Sequence, residues 1–590
     1  MILAKLAEYA TRMEDRGEFT PPLYAAMPIR WIIPLNLDGT LRGEFISQGG
    51  EKSNKRGLAR VVPQVGRTRE NRANLLADKS EYVLGYHETP SQAERAKTRH
   101  ELFVDLAEEC AKSVQHPSLD AIVAFLNNWD FEEDRDRLPQ GFIAEDNLTF
   151  DVDGFIPAEE LDSIQEFWAN YNLSNDAPIM DCLVSGERGP VERVLPSTAV
   201  IKGLSGIGGQ SSGTYLVAAN QPAFRSYGLQ QSLTAPISRD AAERFGKSLN
   251  HLLSDRDSHV FVGPVAYIWW AKRKMGLSLR IVSEPEADPQ GVKRLMTSAA
   301  SGIRRTGTEA EKFYCLALSA SSARNTVRDW LETTIPEVEN NLGNWFLAQE
   351  IVDYSGSEVG PLSIRRLAAS AYRDASKEMQ PAVSAAMMRV ALNGGLLPND
   401  LLARAVRRCV IGTARQDGTR EHVTRERAAL IKLILTTQDT QERLSMSDMK
   451  SLNEKPSFEG IELAAYNCGR LLAQLEAVQI RAQGRKVNTT VIDRYYGAAS
   501  TTPSKVIGLL MSNAQDHLSK VRKKDRGAYE GLQRKIEEIM EPLKAGYPNT
   551  LNMSEQGLFA LGYYHQRAQN RADIKAASDR KNTNSDGEES

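Results

Sequence analysis

IELAAYNCGRLLAQLEAVQIRAQ, residues 461–483, decides the architecture of the last third of this chain. Ile461, Ala465, Cys468, Leu472 and Leu475 recur at steps of four and three, which puts them on one face of a helix, and Gly484 supplies the stop. Downstream, Thr502 stands at a cap position and Pro503 at the first helical position. Ile507, Leu510, Ala514, Leu518 and Val521 then line one side of a second helix. Further helical patterns run over 526–545 and 554–571, separated by the turn sequence Gly546-Tyr-Pro-Asn549. Four or five helices of this kind make a bundle.

Upstream of about residue 345 the pattern changes. RWIIPLNL (30–37), VFVGPVAYIWWA (260–271) and LSLRIVS (277–283) read as short β-rich runs between Gly/Pro punctuation and helical stretches. The expected fold is therefore α+β. A mixed α/β N-terminal region spans 1–345, a helical connecting region 346–450, an all-helical bundle 451–573, and a polar, disordered tail 574–590. At 590 residues the chain exceeds what one core holds, roughly 250–300 residues, so two to four packed units are expected.

Composition narrows the function. No window reaches the roughly 18 consecutive apolar residues of a membrane span, and MILAKLAEYATRMED at the start is an amphipathic pattern without a cleavage site, so a cytoplasmic protein is expected. Cys110, Cys182, Cys315, Cys409 and Cys468 are widely separated and read as reduced, buried thiols. The histidines are scattered without metal-ligand spacing, so neither a metal nor another cofactor is expected.

The net charge of −3 conceals segregation. Lys52 to Asn74 carries seven Lys/Arg against one acid, and Arg481 to Lys544 thirteen against seven, whereas Asp130 to Asp162 has twelve acids against two arginines. Separate basic surfaces suit a phosphate backbone, because each neutralised phosphate releases counterions. In the first basic stretch, Arg67, Arg69, Arg72, Asn71 and Asn74 are of the types that read base edges, and Lys52, Lys55 and Arg56 supply charge. In the second, Lys520, Arg522, Lys523, Lys524 and Arg526 crowd one helix end, more cations than the helix dipole needs, with Lys505 nearer its start.

Gly209-Gln-Ser-Ser-Gly213 fits G-x-S-x-G, but a glycine-rich loop precedes it where a nucleophile elbow requires a strand. Its glycines allow close backbone approach. Gly208, Gly209, Gln210, Ser211 and Ser212 are therefore candidate contacts to a base edge, a phosphate or another subunit. Phe245-Gly-Lys-Ser248 lacks the first glycine of a phosphate loop, and Thr149-Phe-Asp-Val-Asp-Gly154 alternates like a strand followed by a turn, not a calcium loop.

Several ordered stretches together resemble one family. They include Asn74-Leu-Leu-Ala-Asp-Lys-Ser-Glu-Tyr-Val-Leu-Gly85, Gly209-Gln-Ser-Ser-Gly213 with Pro222-Ala-Phe and Ser226-Tyr-Gly228, and Ala235-Pro-Ile-Ser238. Leu318-Ser-Ala-Ser-Ser-Ala-Arg-Asn-Thr-Val-Arg-Asp-Trp330, Arg494-Tyr-Tyr-Gly-Ala-Ala-Ser-Thr-Thr-Pro503 and Gln556-Gly-Leu-Phe-Ala-Leu-Gly-Tyr-Tyr-His-Gln-Arg567 follow. The chain resembles the Csd-type large subunit, the Cas-eight group, of type I-C CRISPR systems.

The resemblance implies a non-catalytic subunit of a crRNA-guided Cascade complex in antiviral defence, beside Cas-five-type and Cas-seven-type backbone subunits. It would recognise the protospacer-adjacent motif (PAM) in double-stranded DNA, help open the duplex into an R-loop and support recruitment of a helicase-nuclease. The basic 52–74 stretch and the glycine-rich loop would then read the motif, and the C-terminal cations would hold the displaced strand. The resemblance also implies that the bundle is like a Cascade small subunit, with extra copies made by internal translation from Met446 or Met449. Two other classes stay open at this point: a scaffold subunit binding RNA or protein without reading DNA, and a Ser211 hydrolase.

Overall fold

The computed structural model describes residues 1–49, 56–65, 72–172, 177–272, 278–300, 311–414, 420–438, 450–452, 459–484 and 490–586. The chain forms two compact units, one of residues 1–203 and 212–251, the other of 204–211 and 252–590.

In the first unit a sheet orders Ile46–Ser47, Trp31–Leu35, Asn147–Val152 and Ala77–Lys79. Trp31–Leu35 and Asn147–Val152 are parallel, with Trp31 opposite Leu148. A parallel pair needs a long crossover, and the helices Ala93–Val114 and Pro117–Asn128 lie within it. The sheet and helices enclose Phe45, Phe103, Phe125, Trp129 and Phe150. The buried Trp31 indole donates to Asp146 at 2.8 Å, so one acid of the acidic stretch is structural. NLTFDVDG is a strand and turn as expected, with Asp153 and Gly154 both at positive φ.

Phe245-Gly-Lys-Ser248 lies inside the helix Arg239–Ser254. Its buried Ser248 hydroxyl donates to the Leu6 carbonyl at 2.7 Å, and Glu243 on the same helix accepts from the Leu23 amide at 3.0 Å. These residues therefore anchor the N-terminal segment.

In the second unit His259–Val262, Val265–Ala271, Lys312–Ser321 and Arg324–Thr334 form an antiparallel meander. Tyr267, Trp269, Phe313, Cys315 and Ala317 alternate onto one core that continues through every major helix downstream to Tyr564. The 346–450 helices and the 451–573 bundle share this core: a Cβ at Gly557 would sit 3.1 Å from Ile431 and 3.5 Å from Leu402.

The centre of the bundle is the helix Gly460–Gln483 packed on Met553–Asp586. A Cβ at Gly469 would stand 1.9 Å from the Phe559 carbonyl oxygen, and one at Gly562 2.0 Å from that of Tyr466. The two antiparallel backbones touch because both contact positions lack a side chain.

Three expectations change. LSLRIVS is helical over Arg280–Ser283, where the Ser278 hydroxyl accepts from the Arg280 amide, Arg280 pairs with Glu284, and Leu279, Ile281 and Val282 enter the core. A helix Val491–Thr501, opened by a Thr490/Asp493 capping box, precedes the one starting at Pro503, and the Thr502 hydroxyl donates back to the Ala498 carbonyl instead of capping forward. The segment from 574, expected as disordered tail, continues the last helix to Asp586. Ala572, Ala576 and Ala577 favour that continuation, and Lys535 pairs with Asp573 at its base.

Candidate nucleic-acid interface

Three surfaces carry the candidate residues. In the basic stretch, Lys52, Lys55, Arg67, Arg69 and Asn71 lie outside the described residues. Arg56 and Arg72 are exposed on either side of the strand Leu58–Pro63, which pairs with Tyr24–Ile29. Gly57 between them is obligatory, since a Cβ there would lie 1.8 Å from the Ile29 carbonyl oxygen. Arg60 is paired with Glu159 at 2.9 Å. Asn74 is buried, its side-chain oxygen accepting from the Val65 backbone N–H at 3.0 Å while its own backbone N–H donates to the Asp78 carboxylate at 2.8 Å. That oxygen is taken up by the Val65 amide and does not face outward.

The glycine-rich loop of the second unit is held by a partner invisible in the sequence pattern. After a 3-10 turn at Ser205–Ile207, Gly208 turns at φ +99°. Its carbonyl accepts from the Ser322 amide at 3.0 Å, and the Gln210 amide donates to the Ser322 carbonyl, also at 3.0 Å. Ser322 is itself at positive φ at the tip of the Lys312–Ser321/Arg324–Thr334 hairpin. Loop and hairpin tip thus form one platform, with the side chains of Gln210, Ser211, Ser321, Ser322 and Arg328 exposed. Arg328 Nε donates to Ser319 Oγ at 2.6 Å, which orients its guanidinium. Both polar atoms of the Asn325 amide are shielded without a protein partner among the described residues. Ser211 follows a turn, not a strand, so it has no elbow geometry. Ser212 is exposed and opens the segment that returns to the first unit.

On the bundle, Leu518 and Val521 face inward while Lys520, Arg522, Lys523 and Lys524 are exposed at the end of the helix Pro503–Lys524, and Lys505 is exposed at its start. Two of the local cations are already balanced: Arg481 pairs with Asp525 at 2.6 Å and Arg526 with Glu530 at 3.0 Å. The Arg522 guanidinium lies 5.6 Å from the Tyr529 ring. Among the described residues no acid pairs with Lys505, Lys520, Lys523 or Lys524. Lys520 projects beside Lys523 and Lys524, three and four residues on.

All five cysteines are free and buried. Burial raises the Cys110, Cys409 and Cys468 thiols to about 12. Among the described residues no helix is long and apolar enough to cross a membrane. The hairpin residues Ser321, Ser322, Asn325 and Arg328, which join the glycine-rich loop in this platform, were not among the sequence candidates. Their signal was Ser321-Ser-Ala-Arg324 between two alternating runs.

No curated protein matches the chain. Residues 6–571 match the family described as CRISPR-associated protein (Cas_Csd1). With nearly its whole length inside that match, the chain belongs to the Cas_Csd1 family, the large subunits of type I-C CRISPR Cascade complexes.

Proposed function

We propose that this chain is a non-catalytic, DNA-recognising subunit of its complex. It reads a short flanking motif in duplex DNA, assists opening of the duplex, holds the displaced strand and supports recruitment of a helicase-nuclease, alongside Cas-five-type and Cas-seven-type backbone subunits in the cytoplasm. The observation that carries DNA binding is the exposed triad Lys520, Lys523 and Lys524, which has no acid paired with it among the described residues while neighbouring Arg481 and Arg526 have found acids. Motif reading is assigned to the loop and hairpin platform, where amide, hydroxyl and guanidinium groups of Gln210, Ser211, Ser321, Ser322 and Arg328 share one surface. Lys52, Lys55, Arg56, Arg67, Arg69, Asn71 and Arg72 supply a second basic surface for the same duplex.

Phosphate contacts predict a steep loss of affinity between about 50 and 200 mM salt. Replacing Lys520, Lys523 and Lys524 together by Gln lowers the salt slope for single-stranded DNA by about two, from roughly 0.7 per contact, with no loss of folding because all three are exposed. An unchanged slope in the triple variant, or wild-type binding insensitive to salt, favours a scaffold role through an apolar subunit interface.

The 451–573 bundle is proposed to act as a small-subunit-like module. A copy made separately from Met446 or Met449, which lie outside the described residues, must cover the face of Met553–Asp586 that packs here on Ile431 and Leu435.

A further inference from the structure

Tyr227 is 99% exposed, the extreme among the large apolar side chains of the described residues. It is held there by a tight turn. Tyr227 at φ +51° and Gly228 at φ +77° are the two central residues, and the Leu229 amide donates to the Ser226 carbonyl at 2.8 Å. Positive φ at both centres is the type I′ arrangement, which Asn and Gly adopt easily. A tyrosine there carries a backbone cost that Asn or Gly would avoid, and gains no packing in return. The turn therefore keeps an aromatic ring in solvent at a conformational cost, which fold stability does not explain.

The surroundings indicate what the ring meets. Residues 193–239 contain four Lys/Arg and no Asp or Glu, in a chain with 76 acids overall. Within this acid-free stretch Arg225 is exposed two residues from the ring, and the amide side chains of Gln221, Gln230 and Gln231 are exposed around the same turn. A protein-docking tyrosine has no need of an acid-free stretch of chain on both sides of it. A polyanion with stackable faces does, because carboxylates near its phosphates would repel it. Stacking an unpaired base on an exposed aromatic ring is sequence-tolerant, and cations beside the ring add to it.

We infer that Tyr227 is a stacking site for an unpaired nucleobase of DNA, with Arg225 beside it for the adjoining phosphate. The inference rests on the DNA-binding reading above and adds to it a site in the first unit that contacts bases, not only backbone.

The test uses the full-length chain and a short single-stranded DNA carrying a fluorescent purine analogue that is quenched by stacking. An otherwise identical strand with abasic sites serves as the second arm. Wild type and Tyr227→Trp are expected to quench the probe. Tyr227→Ala is expected to lose the quenching and to bind about tenfold more weakly, the effect of one stacked base. On the abasic strand, which keeps the phosphates, wild type and Tyr227→Ala are expected to bind alike. Equal quenching and affinity in Tyr227→Ala, or an equal loss on the abasic strand, overturns base stacking while leaving DNA binding intact. Release of a partner subunit by Tyr227→Ala with strand binding unchanged also overturns it, and makes the ring a protein contact. Failure of the wild type to bind either strand overturns the DNA-binding reading and this site with it.

Discussion

Arg567→Met is expected to destabilise the second unit by about 3–5 kcal/mol, the usual result of removing one partner from a buried ion pair. The Arg567 guanidinium lies 3.3 Å from the Glu476 carboxylate and 5.6 and 5.4 Å from the ring centres of Tyr354 and Tyr563. The Tyr563 hydroxyl donates to the same carboxylate at 3.1 Å. Burial pushes the Glu476 carboxyl above its ordinary range, and Arg567 together with the Tyr563 hydroxyl limits that rise. Without Arg567 the buried carboxylate has no counter-charge and must take up a proton to stay inside.

The sign of the pH dependence follows. A carboxyl whose folded pKa is raised binds more protons folded than unfolded, so its stabilising contribution is present below the unfolded value near 4.3 and is lost as pH rises through the folded value. The deficit of Arg567→Met should therefore grow with pH, which thermal unfolding of the full chain at several pH values measures. Glu476→Leu combined with Arg567→Met should recover most of the loss, because the pair is then replaced by apolar volume. A single variant as stable as wild type, or a double variant no better than the single, contradicts the account.

Gly562→Ala is the second large effect. In an ordinary helix this exchange gains up to about 1 kcal/mol, since alanine is the better helix former. Here the new methyl would stand 2.0 Å from a backbone carbonyl oxygen that cannot rotate away, so the helices Gly460–Gln483 and Met553–Asp586 must separate. The expected cost is about 3 kcal/mol, at the upper end of overpacking. Gly508→Ala is the control. Gly508 lies in the helix Pro503–Lys524 with open space where its Cβ would be, and its substitution should leave the unfolding midpoint unchanged or raise it. A stabilised Gly562→Ala would mean that the helix pair is looser than described.

These two sites mark where the sequence was legible and where it was not. The four-and-three stepping from Ile461 identified a helix correctly but understated its burial. Ile461 itself is 50% exposed, whereas Tyr466, Asn467, Gly469, Ala473 and Glu476 are buried outside the expected stripe. Small residues and a paired carboxylate let a central helix be enclosed on all sides, and apolar periodicity does not register either device. LSLRIVS was misread because a short apolar run fits a strand and a buried helical turn equally well, and what distinguishes them is the packing of Leu279, Ile281 and Val282 into the core, which periodicity does not register.

At the candidate interface the cationic helix end was readable, because charge and helical spacing are local properties. The glycine-rich loop was readable as a loop, but its hydrogen bonds to Ser322 join positions more than a hundred residues apart, and nothing in either segment announces the other. Asn74 shows the converse: an asparagine in a basic stretch has the same composition signal whether its oxygen meets a base or, as here, the Val65 amide.

The central claim is that the loop and hairpin platform reads the flanking motif. Its most direct test is binding of the assembled complex to duplex targets with and without a permissive flanking motif, comparing wild type with Gln210→Ala and Arg328→Ala. The account predicts selective loss for the motif-bearing duplex, about 1–3 kcal/mol for a bidentate base contact, with guide-complementary single strands still bound. Undiminished discrimination between the two duplexes in both variants would contradict it.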